Sequence, residues 1–135
     1  MPVDLEIVSP ERLLLSRAVD MVVIPAAEGE LGVLPNHAPM IALLRGGPIR
    51  IYAGSQVTDT LFVKGGFAEI TPERVTVLAD EATPVGELSR AEGERRLQEA
   101  QAAYDAADKM DIAALDAAMD RLQAARAMVE AAPGG

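Results

Sequence analysis

The chain carries one histidine and no cysteine, which removes most of the side chains that do nucleophilic and metal chemistry. A single imidazole without thiolates cannot assemble the usual zinc ligand sets, and the acids are spread over the sequence without ligand-like spacing. Ser9, Ser16, Ser55 and Ser89 stand at turns, strand ends or cap positions, none in the strand-turn-helix setting that raises a serine nucleophile. Lys64-Gly65-Gly66 has the residue types of a phosphate loop in the wrong order, with no helix following. Glu28 and Glu30 are spaced as a carboxylate pair for acid/base work, but no cleft pattern surrounds them and a solvated turn explains both. Arg90, Arg95, Arg96, Arg121 and Arg126 could converge on a phosphate. Helix-surface ion pairs with Glu92, Glu94, Glu99 and Asp120 are the commoner arrangement and the favoured reading. The expectation is a chain with no catalytic residue, no cofactor and no metal.

What remains is a shaped surface. In Glu28-Gly29-Glu30-Leu31-Gly32-Val33-Leu34-Pro35-Asn36-His37-Ala38-Pro39, two glycines bracket an acid and a leucine, and two prolines bracket the histidine. Glycine admits positive φ and proline fixes φ without donating a hydrogen bond, so the run reads as a turn between strands that presents His37 and its neighbours outward.

The elements that must position this loop follow from periodicity. Val3, Leu5 and Ile7 alternate with Asp4 and Glu6; Ile49, Ile51 and Ala53 with Arg50 and Tyr52; Val75 and Val77 with Arg74 and Thr76. Met21-Val22-Val23-Ile24 and Met40-Ile41-Ala42-Leu43-Leu44 are apolar on both faces and suit deeply buried strands. Turn signals at Ser9-Pro10, Gly46-Gly47-Pro48, Ala53-Gly54-Ser55, Gly65-Gly66 and Thr71-Pro72-Glu73 come at sandwich-like intervals. After Thr83-Pro84-Val85-Gly86 alanine dominates and no proline intervenes from Arg90 until Pro133. Ser89 with Glu92 marks a helix start, which Gly93 weakens. Its seam is Leu97, Ala100, Tyr104 and Ala107, and a second helix capped at Asp108 or Asp111 carries Ile112, Leu115, Met119, Leu122 and Val129 on one stripe. The predicted fold class is α+β: an N-terminal all-β sandwich of about ten strands over 1–84, then an antiparallel two-helix hairpin over 85–135. Ala131-Ala132-Pro133-Gly134-Gly135 has nothing to pack and is expected to fray.

Composition narrows the partners. A net charge of −9 opposes unassisted binding to nucleic acid or anionic lipid, and 3% aromatic residues argue against base stacking. A protein partner is expected. No signal peptide is visible and no apolar run is long enough to span a bilayer, so membrane association would come only through partners.

The run from Glu28 to Pro39 resembles the signature loop of the epsilon subunit of F-type ATP synthases. Gly65-Gly66-Phe67-Ala68-Glu69-Ile70-Thr71-Pro72 and Val75-Thr76-Val77-Leu78-Ala79-Asp80 resemble that family's second signature. The resemblance covers most of residues 3 to 82. It implies a non-catalytic central-stalk rotor subunit that links the gamma subunit to the c-ring and couples proton transport to ATP synthesis at the cytoplasmic face of the inner membrane. It places Glu28, Glu30, Leu31, His37, Ala38, Pro39, Gly65 and Gly66 at protein interfaces, His37 against gamma and Glu30 towards the c-ring. The 85–135 hairpin would be a regulatory arm that transiently meets the catalytic head, with Arg121 and Arg126 as the candidates for a nucleotide contact. Epsilon subunits that bind ATP begin this helix with Ile/Leu-Asp-x-x-Arg-Ala, whereas Leu88-Ser89-Arg90-Ala91-Glu92-Gly93 has Ser for Asp and Glu for Arg. Regulatory ATP binding is therefore not predicted, and the acids among the arginines predict weak inhibition of ATP hydrolysis. Two rival classes are a ligand-binding sandwich, disfavoured by the scarcity of rings, and a free-standing regulator with a helical arm.

Overall fold

A computed structural model describes residues 2–133. Ten strands precede two helices: β1 (Val3–Ser9), β2 (Arg12–Val19), β3 (Met21–Ala26), β4 (Gly29–Val33), β5 (Met40–Leu43), β6 (Gly47–Ala53), β7 (Gln56–Lys64), β8 (Phe67–Ile70), β9 (Arg74–Leu78) and β10 (Glu81–Pro84). A single 3-10 turn, Val85–Glu87, leads into α1 (Arg90–Ala106) and α2 (Ile112–Ala131). The strands form two five-stranded sheets, one ordered β2-β1-β9-β8-β5 and the other β10-β7-β6-β3-β4. All neighbours are antiparallel except β1 and β9, which run parallel.

The alternation in β1, β6 and β9 does what period two dictates: Val3, Leu5, Ile7, Ile49, Ile51, Val75 and Val77 all point inward and are fully buried. With Val22, Ile24, Val33, Val63 and Ile70 they close one apolar cluster between the sheets, to which only residues from Val3 to Ala82 contribute. No polar or charged residue is buried among the described residues, so this interior carries no unpaired-dipole penalty.

The α1 start stands as expected: the Ser89 side chain accepts from the Glu92 N–H at 3.2 Å. Gly93 has a packing reason, since a Cβ there would come within 3.2 Å of Val129 Cγ2, and its absence brings the helices together. Asp111 caps α2 by accepting from the Ala114 N–H at 3.2 Å, while Asp108 accepts from the Met110 N–H in the turn before it.

Three expectations are corrected. The buried face of α2 is Ala118, Leu122, Ala124, Ala125 and Met128, whereas Ile112 and Met119 are exposed. Small residues let α2 approach α1 and the sheet at once, so the buried stripe keeps Leu122, adds alanines beside it and leaves Ile112 and Met119 outside. Ala131 and Ala132 do pack, against the cluster of Phe62, Leu88 and Met128; Gly134 and Gly135 lie outside the described residues. The run Met40–Leu44 is not doubly buried: β5 is an edge strand, with Ile41 66% and Leu43 68% exposed.

Candidate functional site

The Glu28–Pro39 run is more than a turn, because its middle is the edge strand β4. Positive φ falls on Gly29 (139°) and on Asn36 (67°), and Gly32 does without it. Asn36 tolerates the left-handed region better than most side-chain-bearing residues, and its N–H donates to the Pro72 carbonyl at 2.8 Å. That bond fixes the His37 segment against the β8–β9 turn. His37 is half-buried, with Nδ1 2.8 Å from the Ala38 carbonyl oxygen, while Ala38 and Pro39 are exposed.

The turn at Glu28 lies at the other end of β5. The Ala27 N–H donates to the Leu43 carbonyl at 2.8 Å and the Leu44 N–H to the Gly66 carbonyl at 3.0 Å, so Glu28 and Gly65-Gly66 share one end of the sandwich. The structure thus brings Glu28 near the two glycines and puts His37, Ala38 and Pro39 opposite them. Between the two groups Leu31 leans on the core. Glu30 forms an ion pair with Arg50 on β6. Tyr52 first and Glu30 next push the Arg50 guanidinium above its ordinary value, against the lowering by burial.

Gly65 and Gly66 are required by the backbone. Both have positive φ, 67° and 87°, and a Cβ on Gly66 would lie 1.9 Å from the Leu78 carbonyl oxygen. Lys64 beside them pairs with Glu81 at 3.7 Å. Arg121 and Arg126 are not brought together: Arg121 reaches Glu99 at 3.6 Å on the α1 side, and Arg126 lines the groove between α2 and β3–β6. Arg95 and Arg96 are held by Glu92, and Arg96 also by Glu81. Arg95 and then Arg96 hold the Glu92 carboxyl below its ordinary range. Among the described residues no group of three or more His, Cys, Asp or Glu could hold a metal, and no helix is long and apolar enough to cross a membrane.

One surface is not legible in the sequence alone. Leu13, Val8, Leu78, Phe67 and Leu43 are register partners in turn across β2, β1, β9, β8 and β5. They form an apolar row over the outward face of that sheet, with Leu13 55%, Phe67 37%, Leu78 38% and Leu43 68% exposed; Ile41 stands beside it. Its signal in the sequence is the double-faced apolar run in β5, a pattern that a deeply buried strand and a partner-facing edge strand share. The outward face of the other sheet is partly covered by the hairpin, through Phe62 with Met128 and Ala132.

Comparison with known proteins agrees with this architecture. The family described as ATP synthase, Delta/Epsilon chain, beta-sandwich domain matches residues 2–85. An ATP synthase epsilon chain from Granulibacter bethesdensis is 73% identical over 128 residues, covering 95% of each chain. One from Gluconacetobacter diazotrophicus is 51% identical, covering 99% of this chain and 95% of its own. Among solved structures, a chain of the Euglena gracilis mitochondrial ATP synthase, in its OSCP/F1/c-ring assembly, superimposes with a TM-score of 0.77 at 24% identity, covering 96% of this chain and 81% of that one. A chain of the Tetrahymena thermophila mitochondrial ATP synthase central stalk and c-ring does so with a TM-score of 0.64 at 16% identity, covering 97% and 96%. At those identities the two structures show a shared fold.

Proposed function

The chain belongs to the family of ATP synthase epsilon chains, and from that premise we propose that it is a non-catalytic rotor subunit of the central stalk, joining gamma to the c-ring. Proton-driven rotation of the ring would be passed through it to the catalytic head. Such a part needs stiffness and two attachment surfaces, and a close-packed sandwich resists deformation.

The observation that carries this reading is the apolar row from Leu13 to Leu43. An exposed apolar sheet face of that extent marks a protein contact, and we assign it to gamma. His37, Ala38 and Pro39 lie beyond Met40, at the end of β5 away from Leu43, and are assigned to gamma with the row. Glu28, exposed at the opposite end with Gly65-Gly66, is assigned to the polar loops of the c-ring. Glu30 and Leu31 join the two surfaces, Glu30 contributing through its pair with Arg50. Residues 1–84 form the attachment domain and 85–135 the regulatory arm. The subunit would sit at the cytoplasmic face of the inner membrane, held there by its partners.

Titration of the isolated chain with isolated gamma tests the assignment. Leu43→Asp places a charge at the β5 end of the row, where an unpaired charge buried by a partner is costly, and is expected to weaken binding at least about tenfold. Because Leu43 is already exposed, the circular dichroism of the free chain should not change. Unchanged affinity would remove the row from the interface and return the chain to the class of free-standing regulators.

A further inference from the structure

The hairpin meets the sandwich through contacts of three kinds. On one flank Arg96 donates to Glu81 on β10 at 3.0 Å, a solvent-exposed ion pair. In the middle Met128 and Ala132 lie on Phe62 and Leu88. On the other flank the Gly46 N–H donates to Gln123 Oε1 at 2.9 Å, and Gln123 Nε2 donates to the Gly46 carbonyl at 2.7 Å. Among the described residues no other hairpin side chain bonds to the sandwich backbone. We propose that Gln123 is a clasp: its two hydrogen bonds to Gly46, in the connection between β5 and β6, hold the hairpin on the sandwich, and their loss releases it.

The three contacts differ in what is left behind when each is broken. The ion pair is exposed and screened by salt, so little depends on it. The apolar patch is small and made largely of alanine and methionine on one phenylalanine. The backbone groups of Gly46 differ, because Gly46 is buried beneath α2. A Cβ on it would meet Ala124 Cα at 2.6 Å, so the helix backbone lies directly over it. With the hairpin docked and the Gln123 amide removed, the N–H and the carbonyl of the buried Gly46 lose the partners they have beneath α2, and such groups cost free energy. With the hairpin undocked, water satisfies them. Deleting the clasp therefore penalises the docked state alone, and Gln123 acts as a positioning residue for the whole arm. Gly46 and Gln123 are among the residues that line a groove of about 790 Å³ between α2 and β3–β6.

The test uses the isolated full chain and so stands apart from any assembly. Since there is no native cysteine, spin labels on Val57→Cys and Asp116→Cys report one distance between sandwich and hairpin. Gln123→Met keeps the side-chain length without the hydrogen bonds. Gly46→Ala blocks the helix approach from the other side. Both are expected to broaden and lengthen the distance distribution and to speed exchange of α2 amides about tenfold, with core amides at Val22, Ile49 and Val75 unchanged. Arg96→Ala should keep the native distribution. The clasp is overturned if Gln123→Met leaves the distribution narrow, if the core amides accelerate equally, or if Arg96→Ala opens the arm as far as Gln123→Met.

Discussion

Gly66 illustrates how much one residue can be committed by its backbone. At φ 87°, with the Leu78 carbonyl oxygen where a Cβ would go, Gly66→Ala meets both strain and collision and should cost about 3 kcal/mol in chemical denaturation. Gly32 has ordinary φ and open space at its Cβ position, so Gly32→Ala should be neutral or slightly stabilising. A similar loss for both would mean that the Leu78 contact is not what constrains Gly66. At the same scale, Arg17 holds the Asp59 carboxyl below its ordinary value. A depressed carboxyl contributes stability that is present above its unfolded pKa, near 4, and disappears as pH falls through the lower folded value. Both side chains are about 40% exposed, so the contribution is about 0.5 kcal/mol. Asp59→Asn should remove that increment at pH 7 and leave stability at pH 2 unchanged.

At the scale of elements the division between strands and hairpin is the claim most open to test. The main cluster draws only on residues from Val3 to Ala82, and the hairpin adds a separate small cluster through Phe62, Leu88, Met128 and Ala132. A chain ending at Pro84 is therefore expected to fold, with the amide protection of β1, β6 and β9 retained. Its loss is the exposure of Phe62, and burial of one such side chain is worth about 2 kcal/mol. An unfolded truncated chain, by circular dichroism and amide exchange, would show that the sandwich depends on the arm. The edge strand β5 is the complementary case: its outward residues Ile41 and Leu43 are about two-thirds exposed and are available to a partner.

For the whole molecule the balance of charge bears on regulation. An arm that captures acidic segments of the catalytic head needs free cations, yet Arg95 and Arg96 are paired with Glu92 and Arg121 lies against Glu99. Asp116, Asp120 and Glu130 stand on α2 beside Arg121 and Arg126. Release of the hairpin and its capture are separate steps, and inhibition requires the second. ATP hydrolysis by the reconstituted catalytic head should thus be similar with the full chain and with the chain ending at Pro84. A several-fold higher rate with the shortened chain would show strong capture and defeat the charge argument.

The local rules were readable in the sequence because they act over a few residues. Period-two alternation gave β1, β6 and β9 their buried faces, Ser89 gave the first helix its start and Asp108 or Asp111 the second, and the glycines of 65–66 marked a turn. The family resemblance rested on the same short runs. Tertiary structure alone decided what depends on which elements become neighbours. Met40–Leu44 could not be known as an edge strand until the sheet order put β5 last, nor could Leu13, Val8, Leu78, Phe67 and Leu43 be joined into one row before register aligned five strands. The separation of His37 from Glu28 by the length of β5, the pairing of Glu30 with Arg50, and the meeting of Gln123 with Gly46 across 77 residues have the same origin. Periodicity says which side of an element is apolar; only packing says whether that side meets the protein's own interior or waits for a partner.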